Sequence, residues 1–179
     1  LVPRKGCPYL LAAILELTKT AKLPAFKVII AGRGSQEAGL KRFVQANKLE
    51  KAVEFVGFIE ESDKPSLLAS ADIAVFPSTG GESFGIILLE AMAAGRGAVL
   101  AGNNPGYAGL MQGHADQLFN PKIAAELAAK LAYFMNNSSA RSRAAQWQKT
   151  RAASYDIEFV GPKIFDIYQK ALNKPAAVP

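Results

Sequence analysis

The chain has 179 residues, half of them hydrophobic, with 15 glycines, 10 prolines, one cysteine and a net charge of +6, which suits one substantial core and one domain. No run approaches the roughly 20 apolar residues of a membrane span, and a lone Cys7 excludes an intramolecular disulfide or a thiolate metal cluster and predicts a cytosolic address. The positive balance favours anionic partners, but the basic residues are dispersed, with no Arg-rich block and no interleaved aromatics, which argues against nucleic acid.

Elements alternate along the chain. Tyr9 to Thr18 has helical apolar spacing and starts almost at once, with no initiator Met and no signal-peptide pattern, as expected for a piece of something longer. Phe26 to Ala31 reads as a buried strand ending at Gly32-Arg33-Gly34-Ser35, and Gln36 to Asn47 as a helix. The cycle repeats with a strand at Ala52 to Val56, a short helix at Lys64 to Ser70, a strand at 72–76 stopped by Pro77, an apolar helix at 84–95 and a strand at Ala98 to Ala101. After the turn signal Asn103-Asn104-Pro105-Gly106 come a short segment to Met111, a short strand near Gln117 to Phe119, and helices at 121–135, 138–153 and 157–172. Residues 173–179 are expected to be disordered. A βαβ series of this kind predicts the α/β class, a parallel sheet wrapped by helices.

The most informative stretch is Gly80-Gly81-Glu82-Ser83-Phe84-Gly85-Ile86-Ile87-Leu88-Leu89-Glu90-Ala91-Met92-Ala93-Ala94-Gly95, a loop at the carboxyl end of a strand that runs into a helix. Ligands bind at such strand ends in open α/β sheets. The first turn of the helix offers backbone N–H groups, those of about Phe84, Gly85 and Ile86, to a phosphate or diphosphate. Gly80, Gly81 and Gly85 allow close approach to the main chain. Glu90 is the lone carboxylate in a helix apolar nearly all round, so it needs donors; about two turns beyond Ser83, it can accept from the vicinal hydroxyls of a ribose. Glu82 sits near the far end of such a ligand, where sugar hydroxyls lie. The alternative reading puts Glu90 at a solvent edge and makes Glu82 a solvated loop acid.

Other candidates are weaker. Gly32-Arg33-Gly34 follows a strand, but Glu37 occupies the third glycine position of a dinucleotide fingerprint, so NAD is excluded and Gly32 is left as a turn that can line a ligand cleft. No P-loop is present. His114, the only histidine, reads as loop filler, and Asp72 and Asp116 share no ligand spacing with other acids, so no metal is expected. Lys5, in Arg4-Lys5-Gly6, can serve as a point charge against a diphosphate. Within Gly57 to Lys64, Ile59 offers an apolar platform and Glu61 and Lys64 polar groups for a base, although the segment alone is a solvated charged loop.

Taken in order, Pro3-Arg4-Lys5-Gly6, Ile30-Ala31-Gly32-Arg33-Gly34, Val53-Glu54-Phe55-Val56-Gly57, Ser70-Ala71-Asp72-Ile73 and the Glu-x7-Glu pair Glu82/Glu90 resemble the carboxyl-terminal domain of retaining family 4 glycosyltransferases. Thr79 to Ile86 and Tyr155-Asp156 look closest to the phosphatidylinositol mannosyltransferase branch, which uses GDP-mannose. The resemblance implies a Rossmann-like parallel sheet with helices on both faces, spanning residues 1–172 as one half of a two-domain B-type fold. It also implies a nucleotide diphosphate sugar as substrate and no metal or other cofactor. Lys5 would neutralise the diphosphate, Glu82 with the amides of Phe84 to Ile86 would hold sugar and phosphate beside Gly81 and Ser83, and Glu90 would grip the ribose. Ile59, Glu61 and Lys64 match the base-binding stretch, with Glu61 where that branch has a shorter Asp. Arg96-Gly97 replaces a usual small residue and proline, and Ile157 a common tryptophan.

A retaining transfer of this kind stabilises charge on the departing diphosphate, which pre-placed Lys5 and helix-end amides can do without a metal. Acceptor contacts would belong to an amino-terminal domain outside this chain, so the chain alone is expected to bind donor and transfer nothing. A basic protein with a lipid acceptor would associate peripherally with the inner membrane face. Alternatives are a UDP- or ADP-sugar transferase or an epimerase of similar fold, and a non-catalytic nucleotide-binding or interaction domain.

Overall fold

A computed structural model describes residues 1–19 and 23–173. The tail expected to be disordered lies, from 174 on, outside the described residues. Among the described residues five strands and eight α-helices follow in order, alternating as far as α6: α1 (Cys7–Thr18), β1 (Val28–Ala31), α2 (Glu37–Ala46), β2 (Val53–Gly57), α3 (Lys64–Ser70), β3 (Ile73–Phe76), α4 (Ile86–Ala94), β4 (Ala98–Gly102), α5 (Pro105–Leu110), β5 (Leu118–Phe119), α6 (Ala124–Asn136), α7 (Ser138–Ala153) and α8 (Ile157–Leu172). All strand pairings are parallel, as the βαβ alternation requires. The ladders form two groups, β1 with β2 and β3-β4-β5 in that order, rather than one continuous sheet. Across the gap, Ile30 of β1 and Ile73 and Val75 of β3 belong to one apolar cluster, so side-chain packing joins what hydrogen bonds do not.

Strand alternation divides the interior into two cores. In β4, which is buried throughout, Ala98 and Leu100 face the cluster built on α1, α2 and α6, whereas Val99 and Ala101 face the one built on α4 and α5. β3 does the same, Ile73 and Val75 to the first and Ala74 and Phe76 to the second. Helices therefore cover both faces of this sheet, and each fully buried Leu, such as Leu11, Leu88 or Leu100, contributes about 2 kcal/mol by leaving water. α7 closes the second core. Its Trp147 Nε1 donates to Gln117 Oε1 at 2.7 Å, and Gln117 Nε2 donates to Val99 O at 2.9 Å, which satisfies polar groups that burial would otherwise penalise.

Two features bear on function. Residues 1–6 lie across the carboxyl ends of two strands: Gln36 N–H after β1 donates to Leu1 O at 3.1 Å, and Thr79 N–H after β3 donates to Arg4 O at 2.8 Å. α8 has no buried residue and exposes Ile157, Phe159, Ile164, Phe165, Ile167, Tyr168 and Leu172. No helix among the described residues is long and apolar enough to cross a membrane.

Candidate functional site

The loop between β3 and α4 and the segment before α1 bring three donors onto one oxygen. Glu82 Oε1 accepts from Lys5 Nζ at 2.7 Å, Ser78 Oγ at 2.8 Å and Arg4 Nη1 at 2.9 Å. Arg4 Nη1 also donates to Gly81 O at 3.2 Å. The Glu82 side chain is only 12% exposed, against 51% and 41% for Arg4 and Lys5. Burial alone would raise its carboxyl pKa, but the hydrogen bonds from Lys5 and Ser78 and the charges of Lys5 and Arg4 outweigh it and hold the group below the ordinary carboxylate range. Glu82 is thus a charged, anchored carboxylate, and Lys5 is its partner in this state.

A second cluster lies at the start of α3. Lys64 Nζ donates to Glu61 Oε2 at 2.6 Å and to Glu90 Oε1 at 3.3 Å. The Glu61 bond is the main cause of a raised Lys64 pKa, opposed by desolvation and reinforced by Glu90. The structure thus brings Glu61, Lys64 and Glu90 together and, separately, Lys5 with Glu82. Ile59 is half-buried just ahead of this cluster. Gly32 follows β1, and its N–H donates to Gly57 O, tying the carboxyl ends of β1 and β2.

Three expectations about the central stretch change. α4 starts at Ile86, not Phe84, because Gly85 at φ +99° is its left-handed cap. The first helical amides are therefore those of Ile86 and Ile87, which precede the bond from Leu88 N–H to Gly85 O at 2.8 Å, while Phe84 packs its ring edge-on against Tyr155 with centroids 5.5 Å apart. The bare Cα of Gly85 serves the protein rather than a ligand: a β-carbon there would stand 2.7 Å from the Tyr107 ring. Finally, α4 is not buried all round. Leu88, Ala91 and Met92 face inward, but Ile86 is 66% exposed and the Glu90 side chain 36%, one turn apart on an outward stripe. The donor that Glu90 meets is Lys64. Gly81 and Ser83 are exposed on the loop beside this stripe.

His114, read as loop filler, stacks its ring on Trp147 with centroids 3.6 Å apart and planes 4° from parallel. Among the described residues no group of three or more His, Cys, Asp or Glu is placed to hold a metal ion.

Residues 1–151 match the family described as Glycosyl transferases group 1. The chain belongs to this family. It is 34% identical over 167 residues, 93% of its own length and 42% of the relative's, to a phosphatidyl-myo-inositol mannosyltransferase of Mycolicibacterium smegmatis. It is 31% identical over 170 residues, 93% of its length and 40% of the relative's, to a glycogen synthase of Mycobacterium tuberculosis. Among solved structures, Anabaena HepE in complex with UDP-glucose superposes with a TM-score of 0.81 at 25% identity, over 95% of this chain and 46% of that one. The chain thus spans a little under half the length of each of these relatives. Its fold is the α/β fold of B-type glycosyltransferases, parallel strands flanked by helices.

In this glycosyltransferase domain the residues that sequence reading passed over are those behind Glu82. Ser78, 2% exposed, closes the end of β3. Tyr107 and Asn104, equally buried, stand beneath it: Asn104 Nδ2 donates to Ser78 O at 3.1 Å, and Asn104 Oδ1 accepts from Tyr107 N–H at 3.1 Å. Burial first, and the Glu82 charge second, push the Tyr107 phenol up to about 12, against a smaller downward pull from Ser78 and Arg4. Only the position of Ser78, just past Pro77 and four residues before Glu82, hints at this arrangement in sequence.

Proposed function

We propose that this glycosyltransferase domain is the donor-binding half of a retaining enzyme that moves a hexose, mannose, from GDP-mannose to a lipid or glycan acceptor. The observation that carries the reading is the placement of Lys5 and Glu82 beside the start of α4, at the carboxyl end of β3, with Glu90 one turn further along the outward stripe. A diphosphate at the first amides of α4 draws on the helix dipole and recruits Lys5. Glu82 then meets sugar hydroxyls on one side and Glu90 the ribose on the other, while Ile59, Glu61 and Lys64 face the base. Charge that develops on the departing diphosphate is met by Lys5 and the amides already in place, so the barrier falls without reorganisation.

Acceptor contacts belong, on this reading, to the remainder of the enzyme, and this chain binds donor without transferring it. The uncovered apolar face of α8 suits burial against that remainder. The net charge of +6 suits peripheral contact of the whole enzyme with an acidic membrane surface.

Calorimetric titration of the 179-residue chain with GDP, UDP and ADP tests the base. GDP is expected to bind tightest, and equal affinities for all three would remove the preference for guanine. A UDP- or ADP-glucose donor is the second reading, favoured by the 31% identity to a glycogen synthase and by the extra methylene of Glu61 at the base site; tighter binding of UDP or ADP would select it.

A further inference from the structure

We propose that Ser78 is a positioning residue for Glu82, fixing one carboxylate oxygen from beneath so that the other is presented outward to a ligand hydroxyl. The geometry is one-sided. Arg4, Lys5 and Ser78 all converge on Glu82 Oε1, and no described residue donates to Oε2. A carboxylate has about four lone-pair sites on two oxygens, so crowding three donors onto one leaves the other open for an outside donor.

The three donors differ in what an incoming anion does to them. Arg4 and Lys5 are cations on exposed side chains, and with two of them facing a single carboxylate the cluster is net positive. An arriving diphosphate draws the more mobile ammonium of Lys5 toward itself. Ser78 carries no charge to be recruited. It is 2% exposed, its backbone oxygen is held by Asn104 Nδ2, and its hydroxyl lies 3.0 Å from Arg4 O and 3.2 Å from Gly80 O as well as 2.8 Å from Glu82. Of these acceptors the carboxylate is closest and charged, so it takes the single hydroxyl proton.

The floor under the loop is closely packed. A β-carbon on Gly106 of α5 would lie 2.1 Å from Glu82 O, which means that the Glu82 backbone rests directly on that helix. With the backbone seated on α5 and Oε1 tied to Ser78, the Glu82 side chain keeps its orientation when Lys5 moves away. Ser78 thereby separates two tasks that would otherwise conflict: Lys5 serves the diphosphate, and Glu82 stays aimed at the sugar.

The inference rests on the donor reading above, and its test separates the two. In Ser78→Ala the Glu82 carboxyl, followed by side-chain ¹³C NMR against pH, is expected to titrate higher than in the wild type. The same variant should bind a nucleotide diphosphate hexose about tenfold more weakly, the order of one hydrogen bond to a charged group, while binding the nucleoside diphosphate within about twofold of wild type, since no hydroxyl of that ligand reaches Glu82. If Ser78→Ala fails to fold, Ser78→Cys keeps the shape with a weaker donor and carries both readouts. An unmoved Glu82 titration, or equal losses for the two ligands, would overturn the assignment. A wild-type chain that binds neither ligand removes the donor reading and the ligand half of this proposal, while the titration still decides whether Ser78 holds Glu82.

Discussion

Lys5 and Glu82, 77 residues apart in sequence, meet at 2.7 Å between Nζ and Oε1. The cation proposed to take up the diphosphate therefore spends the ligand-free state on the carboxylate proposed to hold the sugar. Lys5→Met should weaken nucleoside diphosphate binding about tenfold or more, the loss of a charge-assisted contact. Glu82→Gln should leave the same ligand bound at least as tightly as in wild type, because it frees Lys5, while weakening the sugar nucleotide. Calorimetry on the two variants checks this, and a Glu82→Gln chain that loses both ligands equally would contradict it.

Stability should fall at both ends of the pH scale for different reasons. Glu82 has a folded pKa below its ordinary value, so its contribution is present above about 4.3, the usual carboxyl value, and is lost as pH drops through the folded value. Tyr107 is displaced upward to about 12, so unfolding gains from phenol ionisation as pH rises from about 10 toward that value. Denaturant midpoints against pH should show Tyr107→Phe flattening the alkaline limb and leaving the acid limb in place, and Glu82→Gln flattening the acid limb and also shrinking the alkaline one in part, since the Glu82 charge is the second cause of the Tyr107 displacement.

Gly85→Ala is expected to cost about 2–4 kcal/mol, combining a left-handed backbone with an added methyl in a packed interior, since φ is +99° there and a β-carbon would stand 2.7 Å from the Tyr107 ring. Urea unfolding measures it. If the ring contact matters, Gly85→Ala placed on a Tyr107→Ala background should cost clearly less than on wild type.

Glu90→Gln should weaken ribose-containing ligands several-fold and leave pyrophosphate unchanged, because the Glu90 carboxylate shares Lys64 with Glu61 at 3.3 Å rather than reaching Lys5. Competition between GDP and pyrophosphate reads this directly. Equal losses for the two would place Glu90 outside the ribose site.

Much of the fold was legible because strand and helix periods are local. The bounds of α3 and α8 agree with the apolar spacing of 64–70 and 157–172, and the βαβ order fixed parallel pairing. α4 starts two residues later than its apolar spacing implies because a glycine can open a helix or cap it, and what decides is the Tyr107 ring, 22 positions further on, filling the space beside Gly85. The outward side of α4 does not show in its composition because Ile86 is apolar and yet faces out. At the site, the motif picked out Glu82 and Glu90 but not their partners. Ser78, Arg4 and Lys64 reach these carboxylates through the tertiary fold or across a loop, and no spacing rule encodes that convergence.

The bare side of α8 has a practical outcome for anyone handling the isolated chain. Seven large oily side chains along one rod, none of them buried among the described residues, make an adhesive surface. Should such surfaces pair in concentrated solution, the heat released would overlay the signal of a nucleotide titration. Dilute samples, or a detergent below its micelle threshold, would keep the two apart.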